Sequence, residues 1–132
     1  MVAPLEALRK QFMVDARQKV TADIGTLGED SKTALKFVEA QGKAITGNFI
    51  VERCFFLDGG NSSHRGRISK ALQPLFDLNL VEKDANKNGN KPRLKRRILE
   101  LMEIHGATES EVQEVYDHII HDLLDGGMVH AK

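Results

Sequence analysis

The stretch 69-SKALQPLFDLNLVEKDANKNGNKPRLKRRI-98 runs from an apolar helical pattern through a short valine-containing strand signal into a tract of Asn, Lys and Gly, and ends strongly basic. Seven Lys and Arg residues occupy the eighteen positions from Leu80 to Arg97. The whole chain has 132 residues, with 19 Lys/Arg against 19 Asp/Glu, so a net charge of zero conceals this concentration. Residues 1–63 carry eight basic and eight acidic side chains; residues 64–97 carry ten basic and three acidic; residues 98–132 carry one Lys and eight acids. Such an asymmetry points to a partner. The basic block suits a polyanion, and the acidic block suits solvent or self-association.

The length fits one domain, 1–132, with a modest core. The single cysteine, Cys54, excludes an internal disulfide and a thiolate zinc cage, and fits a reducing compartment. No apolar run approaches the ~18 residues of a membrane span. The opening MVAPLEALRKQF has charges inside its first ten residues and no continuous apolar centre, unlike a secretory signal. These features lead us to expect a cytoplasmic protein with no membrane partner.

Leu5, Leu8, Phe12 and Ala16 recur at helical spacing after Pro4, which predicts a helix over 4–21. Asp30 or Ser31 can cap a second helix, 31–41, that ends at Gly42. The segment KAIT is short and partly β-branched, and Thr46 can cap a third helix, 47–57, carrying Phe49, Ile50, Cys54 and Phe55. DGGN at 58–61 is the strongest breaker in the chain. Ser62 and Ser63 can cap a fourth helix running to about Leu75, with Pro74 expected to bend or end it. LVEK reads as a strand, DANKNGN as a turn centred on Asn-Gly, and PRLKRRI as a return strand grading into a helix over 95–105. Gly106 stops that helix. Thr108 and Glu111 form a capping box for a last helix, 109–125, whose apolar stripe is Val112, Val115, Tyr116, Ile119, Ile120, Leu123 and Leu124.

Helix, turn, helix, then a hairpin with a basic tip is the winged-helix order. Residues 68-ISKALQPLFDLNLVEK-83 resemble the recognition helix and first wing strand of winged-helix repressors of the MarR and ArsR types, whose pattern is roughly I/V-S-R-x-L-x-x-L-x-x-x-G-L-V-x-R. The resemblance covers about 31–98, at superfamily level. Asn79 stands where those families usually have Gly, and Asn is the next best residue for a left-handed conformation. The implied fold is mainly α with a small β-hairpin: a winged helix-turn-helix core, 31–98, flanked by an N-terminal helix and loop, 1–30, and by C-terminal helices, 99–132. In MarR-type proteins such flanking helices are dimerisation helices, so the resemblance also implies a homodimer.

The expected partner is double-stranded DNA, and the expected role transcription regulation. A major groove admits one helix, where Arg can pair with guanine and Ser with phosphate or a base edge. The first half of the fourth helix offers Ser62, Ser63, His64, Arg65, Arg67, Ser69 and Lys70. The hairpin offers Lys87, Asn88, Asn90, Lys91 and Arg93 for the backbone or minor groove, followed by Lys95 and Arg96. The apolar stripe of the last helix is wider than a coiled-coil seam needs, which suggests surface to spare for a second copy.

Other readings compete. Basic hairpins often serve only solubility or guard an edge strand. An acidic last helix could instead dock a basic protein partner, making the chain a helical adaptor. L75-F-D-L-N-L-V-E-K83 faintly echoes L123-L-D-G-G-M-V-H-A131, as a tandem pair of units would. His118, Asp122 and Asp125 share a helical face, but the pattern D117-H-I-I-H-D-L-L-D125 is more simply a solvated face, and we expect no metal and no cofactor. Cys54 reads as a small buried hydrophobe rather than a redox switch. DGGN lacks the spacing of a phosphate loop. No catalytic spacing stands out, so we expect no enzyme.

Overall fold

The computed structural model describes residues 4–84 and 89–124. They are mainly helical, with one two-stranded antiparallel sheet, and divide into two compact units: Leu27–Leu94, and Met1–Thr26 with Lys95–Lys132. No helix among the described residues is long and apolar enough to cross a membrane.

The unit of residues 27–94 opens with α2 (Glu29–Gln41). Its N-cap is Gly28, with no side-chain cap bond, rather than Asp30 or Ser31. Both expected caps are drawn away by tertiary partners. Ser31 is buried and donates its hydroxyl to the Ala71 carbonyl at 2.6 Å, and Asp30 pairs with Arg67. Gly42 closes the helix in the left-handed conformation (φ 66°). Ile45 then forms an isolated antiparallel bridge to Asn90. Thr46 caps α3 (Gly47–Phe49), accepting from the Phe49 N–H at 3.1 Å. A π-helical turn (Ile50–Cys54) continues it where a longer regular helix was expected. The turn closes with Leu57 N–H on the Val51 carbonyl at 2.9 Å, which holds Phe56 left-handed (φ 56°).

Helix α4 (Ser62–Asp77) buries Ile68, Ala71, Leu72 and Leu75. Pro74 does not end it, since the ring removes only one N–H, and three more helical residues follow. Its end is a Schellman motif. Leu80 N–H bonds the Leu75 carbonyl at 2.9 Å, and Asn79 N–H bonds the Phe76 carbonyl at 3.0 Å. Asn79 between them is left-handed (φ 60°), the conformation its sequence position called for. Strands β1 (Val81–Asp84) and β2 (Gly89–Pro92) pair with Glu82 opposite Lys91 and Lys83 opposite Asn90. Asp84 faces Gly89, so Gly89 is a strand residue and not the centre of an Asn-Gly turn. A Cβ on Gly89 would sit 3.2 Å from Ala44 Cβ and 3.3 Å from Ile45 N, so close approach explains the glycine.

The other unit packs α1 (Pro4–Gly25) against α6 (Glu109–Leu124), with α5 (Leu94–Glu103) contributing Ile98 and Met102 to the core. Val112, Val115, Ile119 and Leu123 are at most 3% exposed, and Ala16, Val20 and Ile24 of α1 at most 4%. The stripe expected to be free for a second copy is therefore largely consumed inside one chain. The Thr108–Glu111 capping box forms as the sequence suggested, with Glu111 N–H on Thr108 Oγ1 at 3.2 Å and Thr108 N–H on Glu111 Oε1 at 2.8 Å. Arg9 of α1 adds a forked pair to the same carboxylate, one arm at 3.1 Å.

That shared carboxylate makes a pH prediction. The Arg9 pair, then the Thr108 bonds, hold Glu111 at about 2, below the ordinary 4.5. A depressed carboxylate stabilises the fold above its unfolded value and loses that contribution as pH falls through the folded one. Glu111→Gln should melt lower than wild type at pH 7, and the gap should close between pH 4.5 and 2. A gap unchanged across that window in thermal melts would contradict the pairing.

Candidate nucleic-acid interface

Helix α4 is set at its start by a pinned loop. Gly60 N–H bonds Asp58 Oδ1 at 2.9 Å, and Asp58 N–H bonds His64 Nδ1 at 3.1 Å. The cap is Asn61, whose Oδ1 accepts from Ser63 N–H at 2.8 Å and His64 N–H at 3.3 Å. Ser62 and Ser63, expected as caps, therefore lie inside the helix with their side chains exposed. With the apolar positions turned inward, Ser62, Ser63, Arg65, Gly66, Arg67, Ser69 and Lys70 all face outward. No acid stands among them.

The expected contacts do not all stay available. Arg67 forks onto Asp30 at 2.7 and 3.0 Å and lies over the Phe55 ring at 5.5 Å, so it anchors α4 to the first turn of α2. The mutual bond raises the Arg67 pKa and lowers that of Asp30. Arg65 donates to the Gly59 carbonyl at 3.3 Å and leaves the rest of its guanidinium outward. His64 is half-buried with Nδ1 accepting, which leaves Nε2 as the ring's donor.

In the hairpin, Glu82 gathers Lys91 at 3.3 Å and Arg93 at 3.5 Å. Arg93 also donates to the Asn79 carbonyl at 3.2 Å, stapling the left-handed turn. Lys83 sits over Phe76 at 5.3 Å. Asn90, expected at an exposed wing, is 2% exposed and cannot touch a duplex from there, because it faces the Ile45 segment. Lys87 and Asn88 lie outside the described residues. Lys95 bonds Gln113 and lies over Tyr116, both on α6, while Arg96 is exposed on α5.

Two features escaped the reading of the sequence. Gly66 stands at the centre of the exposed face of α4, and a Cβ there would meet nothing within 4 Å. A mid-helix glycine costs roughly 0.5–1 kcal/mol relative to Ala, and nothing in the unit requires it. Its signal was the R-G-R triplet within the basic helix. Phe56 is 84% exposed and left-handed, a position set by how the π-helical turn closes.

The rival sites are weaker. Among the described residues no cluster of His, Cys, Asp and Glu could hold a metal. Two acids of α6 are engaged within their own unit, Glu111 by Arg9 and Asp122 by Arg17 at 3.1 Å. Cys54 is half-buried with its Sγ 3.9 Å from the Thr33 carbonyl, and burial, then Asp30, pushes the thiol up to about 11. Comparison of the chain with protein families, curated proteins and solved structures finds no match.

A thiol so perturbed reacts only through a scarce thiolate. Iodoacetamide should alkylate Cys54 on the order of 100-fold more slowly at neutral pH than an ordinary cysteine. The rate should keep climbing with pH toward the thiol's value of about 11. A plateau near pH 9 would show an unperturbed thiol.

Proposed function

We propose that residues 27–94 form a winged-helix unit that binds double-stranded DNA, with α4 entering the major groove and the β1–β2 hairpin flanking it on the backbone. The carrying observation is the outer face of α4. It gathers two serines, Arg65, Ser69 and Lys70 around a glycine that no internal packing needs. Ser and Arg suit phosphates and base edges, and an unencumbered Gly66 lets the helix backbone approach a groove wall. The element order of the unit and the left-handed Asn79 at the start of the hairpin support the same reading. So does its charge, eleven Lys/Arg against eight Asp/Glu. Transcription regulation is the role such a unit would serve. Arg65 and Lys70 of α4, with Lys83 and Lys91 of the hairpin, are the cations proposed to touch the duplex. Arg67 contributes indirectly, by fixing the angle of α4.

Affinity for random duplex should fall with salt. Four phosphate contacts would lose on the order of 100-fold between about 50 and about 200 mM. No binding at the lower salt would dismiss the proposal. Gly66→Ala separates docking from folding. It should stabilise the free protein by roughly 0.5–1 kcal/mol and weaken duplex binding. An alanine variant that is more stable and binds equally well would remove α4's centre from the interface. Arg65→Ala should cost ~1–3 kcal/mol at a preferred site if it reads a base.

A further inference from the structure

Phe56 carries two costs at once. Its backbone is left-handed (φ 56°), a conformation that glycine adopts freely and a bulky side chain rarely does. Its ring is 84% exposed, more than any other large apolar side chain among the described residues. The bond that closes the π-helical turn, Leu57 N–H on the Val51 carbonyl, accounts for the backbone but not for the ring. Glycine or asparagine would meet the backbone requirement and remove the exposed apolar surface. A side chain kept at such a position points to a use outside the fold.

The surroundings of Phe56 are fixed. Residues 55–60 are fastened to the first turns of α4 at three points. The Arg67 guanidinium lies 5.5 Å from the centre of the Phe55 ring. Asp58 N–H bonds His64 Nδ1 at 3.1 Å. Arg65 donates to the Gly59 carbonyl at 3.3 Å. Phe56 stands between these anchors, two residues from Asp58, so their Cα atoms are at most about 7.6 Å apart. Its ring is thus held beside the amino-terminal end of α4, where the outward row of Ser62, Ser63, Arg65 and Gly66 begins. Two acids stand near the loop, Asp58 within it and Glu52 against Gly59. They make this end of the surface unsuited to a phosphate and leave an apolar base edge as the contact a ring can serve.

Given the duplex reading of α4, on which this rests, the geometry points to Phe56 as a specificity-determining residue that packs on the C5-methyl group of a thymine at the edge of the α4 footprint. Thymine alone among the four DNA bases shows a methyl group in the major groove, and apolar side chains such as Phe read it. The Ser, Arg and Lys side chains of α4 supply hydrogen bonds and charge, and none of them can tell a methyl group from its absence. Contact with the methyl also takes the ring out of water, which offsets part of the cost of displaying it.

The test uses the full chain and two matched duplexes. Selection from a random duplex pool at low salt should return a site with at least one fixed A·T pair. That site is then made with uracil in place of every thymine, which deletes the methyl groups and keeps the base pairs. Wild type should bind the thymine duplex about fourfold more tightly, the effect of one buried methyl group. Restoring thymine one position at a time should assign the preference to a position at one end of the site. Phe56→Asn suits the left-handed backbone and should melt no lower than wild type. It should bind both duplexes alike, at the level wild type shows for uracil. Wild type binding both duplexes alike, a preference that survives in Phe56→Asn, or a selected site without an A·T pair would overturn the assignment and leave the duplex reading of α4 standing. Absence of any duplex binding would overturn both.

Discussion

Two backbone hydrogen bonds between Ile45 and Asn90 join the helical part of residues 27–94 to its hairpin: Ile45 N–H to the Asn90 carbonyl at 3.0 Å, and Asn90 N–H to the Ile45 carbonyl at 2.6 Å. A two-stranded hairpin alone is marginal in water. Here Ile45 gives β2 a partner on its second edge, and α2 packs against that strand. The contact is close, since a Cβ at residue 89 would press on Ala44 and Ile45 at 3.2 and 3.3 Å. It also holds the buried amide of Asn90, whose Nδ2 donates to the Ile45 carbonyl at 3.1 Å. Loosening this bridge would free the hairpin from the helical part of the unit.

The outer face of α4 follows from what holds its inner face. Ile68, Ala71, Leu72 and Leu75 are at most 5% exposed, and the buried Ser31 hydroxyl fixes α2 to the Ala71 carbonyl. The Arg67–Asp30 fork braces the same pair of helices at the surface, where an ion pair contributes little by itself but restricts how α4 can tilt. The Asn61 cap and the Schellman motif at Asn79 define the helix ends. What stays outward is a short row of Ser, Arg and Lys around Gly66. The basic block of the sequence is thus divided. Lys91 and Arg93 are gathered by Glu82, Lys95 turns to α6, and Arg65 and Lys70 remain on the exposed face of α4.

Features whose cause lies within a few residues were readable from the sequence. The Thr108–Glu111 capping box, the Thr46 cap and the stop at Gly106 (φ 70°) are local backbone chemistry. Asn79 is readable for the same reason. The misreadings share a different cause. Asp30 and Ser31 look like caps, but a residue forty positions away in sequence takes the serine and Arg67 takes the aspartate. Asn88-Gly89 looks like a turn, yet the glycine pairs with Asp84 in β2 and lies close against Ala44. The stripe of α6 looked unpartnered because its partner in α1 is assembled from Ala16, Val20 and Ile24 at the far end of the chain. The π-helical turn has no simple residue signature. Of the candidate interface, the residue types on α4 were legible. The withdrawal of Arg67 and Asn90 into structural roles, and the vacancy over Gly66, required the fold.

The most direct measurement is amide chemical-shift mapping on the full chain titrated with a duplex of about two helical turns, ~20 base pairs. The account predicts the largest shifts at residues 61–70 of α4, with a second group at Lys83 and Lys91 of the hairpin, and little change along α6. Shifts centred on α6, or none at low salt, would contradict it.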